Sequence, residues 1–127
     1  MDYEYSVTGS IFCNADILAA SAATSEFLYK GYTFSLRTFS DQISVRLRDC
    51  STDTSISKNI SEADVTEVCK LLSEKFACLV SIRKGYELYG NANVFNGGSD
   101  YEIIEEKWFS IKFDNGCQKM TETKDIL

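Results

Sequence analysis

Alternation between apolar and polar residues, with a period of two, is the feature that most constrains the fold of this 127-residue chain. The clearest case is residues 32–49, where two alternating runs are separated by a short polar stretch over 40–42. A period of two is typical of half-buried strands, and small polar residues between two such runs favour a turn. Residues 32–49 are therefore predicted to form a β-hairpin. Weaker alternation predicts further strands over 3–12, over 78–84 or 78–89, and over 101–113, the last with a twist or bulge midway.

Two segments carry helical patterns instead. Residues 62–76 place their apolar residues on one side at helical spacing, and Ser61 just before them has the position of an N-cap. Asn14 is expected to cap an earlier helix over 15–29 that stops at Gly31, because glycine commonly follows a helix end. The alternative for this earlier segment is a loop that ends in one short helix.

The predicted order is strand, helix, strand, strand, helix, strand, strand. The first six elements follow the split βαβ order of ferredoxin-like folds. The sequence therefore predicts an α+β fold with an antiparallel sheet of about five strands, both helices on one face, and an extra C-terminal strand. Residues 1–117 are expected to form this single domain, and residues 118–127 a polar, loosely held C-terminal tail.

The chain contains no histidine, which is the side chain with a pKa nearest neutrality and the commonest metal ligand. Its five cysteines are widely and irregularly spaced and form no C-x-x-C motif, so reduced structural thiols are favoured over a disulfide framework. We therefore expect a protein that is not an enzyme and uses neither a metal nor another cofactor. Catalysis by Lys, Tyr, Cys, Asp or Glu is the less favoured alternative.

An excess of acidic residues bears on the partners that the chain could bind. Nineteen Asp and Glu against thirteen Lys and Arg give a net charge of -6. This balance argues against direct nucleic-acid binding, which normally uses a basic face, and favours a protein partner with a basic surface. The sequence has no signal-peptide pattern and no apolar run long enough for a membrane span. We expect a cytoplasmic protein without membrane contact, and formation of a homodimer is left open.

Acidic residues concentrate around the start of the last predicted strand. Glu105 and Glu106 are adjacent there, so one carboxylate is expected on each face and the two cannot share acid–base work. The preceding loop over 91–100 carries Phe95, which is expected either to anchor a partner or to fold back onto the core. The predicted partner-binding residues are Asp100, Glu102, Glu105, Glu106 and Phe95.

The arginines suggest a different site. Three of them lie on the polar register of the predicted hairpin and the fourth lies in the next strand, so all are expected on the sheet face away from the helices. The planar guanidinium group suits carboxylate or phosphate, although pairing with neighbouring carboxylates is the competing interpretation. The alternative anion-binding residues are Arg37, Arg46, Arg48 and Arg83.

Two functions are therefore predicted. The first is an acidic binding protein that inhibits or neutralises another protein by occluding a basic or nucleic-acid-binding surface. Its size and charge are typical of bacterial toxin-immunity proteins and phage inhibitors of host defence, but no motif supports that likeness. The alternative is a regulatory domain that binds a small anion, such as a nucleotide, on the arginine-bearing sheet face or at a dimer interface.

Overall fold

The computed structural model describes residues 2–13, 25–39, 41–48, 59–91 and 101–126. These residues form a sheet of seven strands and, within the described ranges, one helix. The elements in chain order are β1 (Asp2–Phe12), β2 (Ser25–Tyr29), β3 (Tyr32–Thr38), β4 (Ile43–Arg48), α1 (Glu62–Phe76), β5 (Leu79–Asn91), β6 (Tyr101–Asp114) and β7 (Cys117–Ile126).

The strands lie in the order β2-β3-β4-β1-β5-β6-β7. Every neighbouring pair is antiparallel. The first strand of the chain is therefore the central strand of the sheet, with β4 on one side and β5 on the other. This placement brings the hairpin of β3 and β4 next to the later strands, and it determines which side chains of distant segments become neighbours.

The predicted ferredoxin-like fold with two helices on one face is wrong. The sheet is antiparallel as expected, but it has seven strands instead of about five, and one helix lies within the described ranges where two were predicted. The departure begins at residues 25–29, which were expected to end a helix but form β2 and pair with β3. Residues 14–24 of that predicted helix, including its expected cap Asn14, lie outside the described residues.

The turn between β2 and β3 explains this error. Lys30 and Gly31 have φ values of 46° and 84°, the pattern of a two-residue type I′ hairpin turn. Glycine is favoured both in such turns and just beyond helix ends, because both require a positive φ. Gly31 alone therefore could not distinguish a helix stop from a hairpin.

The predicted loose tail after residue 117 is also wrong. Residues Cys117–Ile126 form β7, which pairs with β6. Asn115 and Gly116, with φ values of 46° and 85°, make a second type I′ turn, for which Asn-Gly is a preferred pair. As an edge strand, β7 is polar and mostly exposed, and such a strand lacks the apolar alternation that marks inner strands.

The helix over 62–76 is confirmed as α1. The Ser61 hydroxyl accepts a hydrogen bond from the Asp64 backbone N–H at 3.0 Å, and Ala77 closes the other end in a left-handed conformation. The helix packs across β5 and β6 and touches β1. In the described part of the chain there is no helix with the length and apolarity that a membrane span requires.

The strands predicted over 3–12, 32–49, 78–89 and 101–113 are confirmed as β1, β3 with β4, β5 and β6. The expected irregularity of the last one is a shift of the β5–β6 register after Leu88. Alternate residues of these strands form one buried apolar core together with α1. The core includes Val7, Ile11, Phe34, Leu36, Val45, Ile82 and Ile111 from the strands and Val65, Val68 and Leu72 from the helix.

Candidate functional site

The sheet face opposite α1 carries the arginines, and we refer to it as the arginine face. Residues that pair across neighbouring strands point to the same face of a sheet. Arg46 of β4 pairs with Thr8 of β1, and Thr8 pairs on its other side with Arg83 of β5. The Cα atoms of the two arginines are therefore about 10 Å apart, or two strand spacings. Both arginines are exposed, and we call these three residues the arginine row.

A second row of polar residues lies beside the arginine row on the same face. Three serines pair in sequence across β4, β1 and β5, and a basic residue continues the row at each end. The serine row consists of Arg37, Ser44, Ser10, Ser81 and Lys112. Two rows that supply hydroxyl, guanidinium and ammonium donors therefore run side by side across the middle of the sheet.

A shallow depression of about 300 Å³ spans the two rows. Its hydroxyl groups and one guanidinium can all donate hydrogen bonds, so its chemistry suits an oxyanion such as phosphate or carboxylate. Phe12 lies at one end with 45% of its surface exposed, and there it offers an apolar contact. The depression is lined by Thr8, Gly9, Ser10, Phe12, Ser81, Arg83 and Ser110.

An aromatic ring orients Arg83. Its guanidinium carbon lies 4.1 Å from the centroid of the Trp108 ring, a cation–π contact. Trp108 is itself buried, and its ring N–H donates to the Glu106 carboxylate at 3.3 Å. Stacking uses the flat face of the guanidinium and keeps its N–H edge directed outward, where it can meet a planar oxyanion.

The other two arginines have partners on the same face. Arg48 forms an ion pair with Glu26, and the Arg37 guanidinium carbon lies 5.4 Å from the ring centroid of Phe39. The described ion pairs include neither Arg46 nor Arg83. Of the four predicted anion-binding residues, the structure therefore places Arg46 and Arg83 at the centre, with Arg37 beside them and Arg48 engaged by a carboxylate.

The predicted partner-binding carboxylates separate onto two faces. Glu105 lies on the same face as α1, where it accepts a hydrogen bond from the Tyr86 hydroxyl at 2.6 Å, and this bond raises the pKa of Tyr86 to about 12. Glu106 lies on the arginine face and pairs with Lys124 at 3.4 Å. The expected opposition of the two carboxylates is thus observed, and no flat partner could cover both.

The remaining predicted partner-binding residues cannot be placed in a site. Phe95 and Asp100 lie outside the described residues, and for Glu102 only its backbone pairing with Gly90 is described. The pairing of the strands reveals an acidic row that the sequence analysis did not predict. Glu4 pairs with Glu87, and Glu87 pairs with Glu106. Nothing in the sequence could have identified this row, because it depends on the order of the strands.

A second cavity, of about 230 Å³, lies on the face that carries α1. Lys84 lines it together with Tyr5 and Lys107. The ammonium of Lys84 donates to the Ile60 carbonyl just before α1, and burial lowers the pKa of this lysine. The hydrogen bond gives Lys84 a structural role where the chain enters the helix, and the sequence analysis did not single out this residue.

The described residues contain no group of three histidine, cysteine, aspartate or glutamate side chains placed to hold a metal ion. The chain matches no protein-family model, no curated protein and no solved structure. The arginine face, with its two rows and its depression, is therefore the feature from which a function can be argued.

Proposed function

We propose that this protein binds a small ligand that carries an oxyanion, such as a nucleotide, at the arginine row. The observation that carries the proposal is the placement of Arg46 and Arg83 on either side of Thr8, with neither arginine among the described ion pairs. Two guanidinium groups on one face can hydrogen-bond to a phosphate from both sides, each through paired N–H donors. This is the alternative function that the sequence predicts, a regulatory domain that holds an anion on the sheet face.

The surroundings of the arginine row suit the rest of such a ligand. Thr8, Ser10 and Ser81 supply hydroxyl groups within the depression, which add neutral hydrogen bonds to the charged ones. Phe12, exposed at one end, offers a ring on which a nucleobase can stack, and such stacking is worth about 1–3 kcal/mol per base. The depression is shallow, so the charged contacts are expected to supply most of the affinity.

The inhibitor hypothesis stays a prediction and makes a different demand. It requires the carboxylates near the start of β6 to face one basic partner, whereas Glu105 and Glu106 lie on opposite faces. Under that hypothesis the double variant Glu102→Lys with Glu106→Lys loses binding of the basic protein partner, and the arginine variants keep it. Under the proposed function the arginine variants lose binding.

The test is a titration with inorganic phosphate, pyrophosphate and the adenosine and guanosine mono-, di- and triphosphates. Trp108 is the only tryptophan of the chain and stacks on Arg83, so its fluorescence reports binding at the site directly. We expect at least one nucleotide to change this fluorescence and to raise the melting temperature. Arg83→Ala is expected to weaken binding by about 10- to 100-fold, because charged hydrogen bonds contribute about 1.5–3 kcal/mol.

Two variants serve as controls. Lys119→Ala removes one positive charge from an exposed position on β7 and should bind the nucleotide as the wild type does. Arg83→Lys keeps the charge but loses the planar fork, and it should fall between the wild type and Arg83→Ala. Equal binding by Arg83→Ala and Lys119→Ala, or no response to any ligand in the panel, would contradict the proposed function.

A further inference from the structure

Two cysteines meet at one end of the β1–β5 pair. Cys13 directly follows β1 and Cys78 directly precedes β5, one position beyond the last β1–β5 pair, which is Phe12 with Leu79. Their sulfur atoms lie 3.9 Å apart, and both residues are half-buried. Both cysteines are free thiols in this structure.

The backbone around these cysteines suits a covalent link. Opposed residues on antiparallel strands have Cα atoms about 4.5–5.5 Å apart, and disulfides span Cα distances of about 4.4–6.8 Å. The two sulfur atoms must approach from 3.9 Å to about 2.0 Å, a change that rotation of the two side chains supplies without moving the strands.

We propose that Cys13 and Cys78 form a reversible intramolecular disulfide when the protein meets a small disulfide such as oxidised glutathione. One cysteine loses its proton and attacks a sulfur of the small disulfide, which forms a mixed disulfide and releases one small thiol. The second cysteine then loses its proton, attacks the protein sulfur of the mixed disulfide and releases the other small thiol. The protein dithiol is oxidised by two electrons, and the small disulfide is reduced to two thiols.

The surroundings of the pair determine how its reactivity depends on pH. Burial raises the pKa of both thiols, to about 12 for Cys78, where the neighbouring Cys13 adds to the effect. For Cys13 the hydrogen bond with Cys78 works in the opposite direction and favours the thiolate. Because the thiolate is the attacking species, the reaction accelerates as the pH rises.

The other described cysteines lie elsewhere. Cys69 is fully buried beneath the sheet, with its thiol directed at the Val80 carbonyl oxygen at 3.3 Å, and Cys117 is exposed at the start of β7. Cys117 therefore offers a matched control, since Cys117→Ser removes a more accessible thiol without touching the pair. The inference is independent of the proposed ligand, because it concerns only the two thiols.

The test is peptide mapping by mass spectrometry after equilibration of the native protein with excess oxidised glutathione at about pH 8.5, near the ordinary cysteine pKa. Free thiols are alkylated before digestion. Wild type and Cys117→Ser should both lose the alkylatable thiols of Cys13 and Cys78 and yield a peptide pair linked through these two residues, about 2 Da lighter than the two reduced peptides together. Dithiothreitol should restore both thiols, and Cys78→Ser should stop at a glutathione adduct on Cys13.

Two outcomes would overturn the inference. One is complete alkylation of Cys13 and Cys78 in the native wild-type protein after equilibration. The other is an equal yield of the Cys13–Cys78 link in concentrated urea, because the link would then owe nothing to the fold. Loss of the link in urea, with its presence under native conditions, supports the proposed disulfide.

Discussion

At the scale of single residues, Gly85 shows how an absent side chain helps to shape the arginine face. A Cβ atom at this position would lie 1.9 Å from the Lys107 carbonyl oxygen and 2.7 Å from a carbon of the Trp108 ring. The indole ring therefore occupies the space beside the glycine, and Arg83 stacks on that ring at 4.1 Å. Glycine inside a strand commonly marks such a close approach. The position of the arginine in the proposed site thus depends on a neighbour that has no side chain.

Gly85→Ala is expected to destabilise the fold and to disturb the site together. The added methyl group must displace the β6 backbone or the Trp108 ring, and overpacking of this kind costs about 1–3 kcal/mol. Urea denaturation measures the loss, and the Trp108 emission should shift as its ring moves. Ser6→Ala is the matched control, because Ser6 pairs directly with Gly85 in β1 and already has a Cβ. A free energy of unfolding that is the same in the two variants would contradict this account of Gly85.

At the scale of elements, the sequence predicted what is local and missed what depends on a partner. The cap and the apolar stripe of α1 lie within one continuous segment, so its bounds were predicted correctly. Strand β2 has no comparable pattern, since Leu28 is apolar but 71% exposed, and its pairing with β3 only becomes evident once Gly31 is known to lie in a turn. Strand β7 is polar, and its identity follows from the Asn115-Gly116 turn and from β6 beside it.

For the candidate site, too, the sequence predicted the local pattern but not the neighbours that strand pairing brings together. That Arg46 and Arg83 lie on a polar face follows from the alternation within each strand, which the sequence shows directly. The alternation does not show that the two arginines flank one threonine, because that arrangement requires β1 to lie between β4 and β5. Residues 8, 46 and 83 are far apart in sequence, so the row becomes evident only from the residue-by-residue register of the three strands.

The stability of α1 allows a test of the packing at element scale. Leu72 is fully buried against the sheet, and Leu72→Ala should lower the free energy of unfolding by about 2–5 kcal/mol through the lost contacts and the cavity that remains. Ser61→Ala should cost about 0.5–2 kcal/mol, because it removes the oxygen that accepts from the Asp64 N–H. Leu71→Ala is the control, since Leu71 is only half-buried and should cost less than Leu72→Ala. Equal losses for the two leucines would show that the helix packs on a different side.

At the scale of the whole molecule, the net charge and the proposed site have opposite signs. The chain carries a charge of -6, yet the centre of the arginine face is basic. An approaching anion is repelled by the molecule at long range and attracted by the arginines at short range. At physiological salt the Debye length is about 8 Å, so the distant acids are largely screened while the arginines that contact the ligand are not. A net acidic protein can therefore bind an anion on one face, and the ionic strength determines how much the remaining charge opposes it.

The difference between long-range repulsion and short-range attraction leads to a prediction for an acidic residue far from the site. Glu67 is exposed on α1, on the other side of the sheet and roughly 15–20 Å from the arginine row across the helix and sheet layers. Glu67→Lys should strengthen binding of the tightest nucleotide in the panel by about twofold at roughly 10 mM salt, where the Debye length is about 30 Å, and should have no effect at about 0.5 M. Glu67→Gln changes the charge by half as much and should give a smaller gain. An equal gain at both salt concentrations would mean that the variant acts through a structural change and not through the electrostatic field.

A basic protein partner would respond in the opposite sense, because Glu67→Lys would slow its association. The direction of the change at low salt therefore distinguishes the proposed anion site from the inhibitor hypothesis.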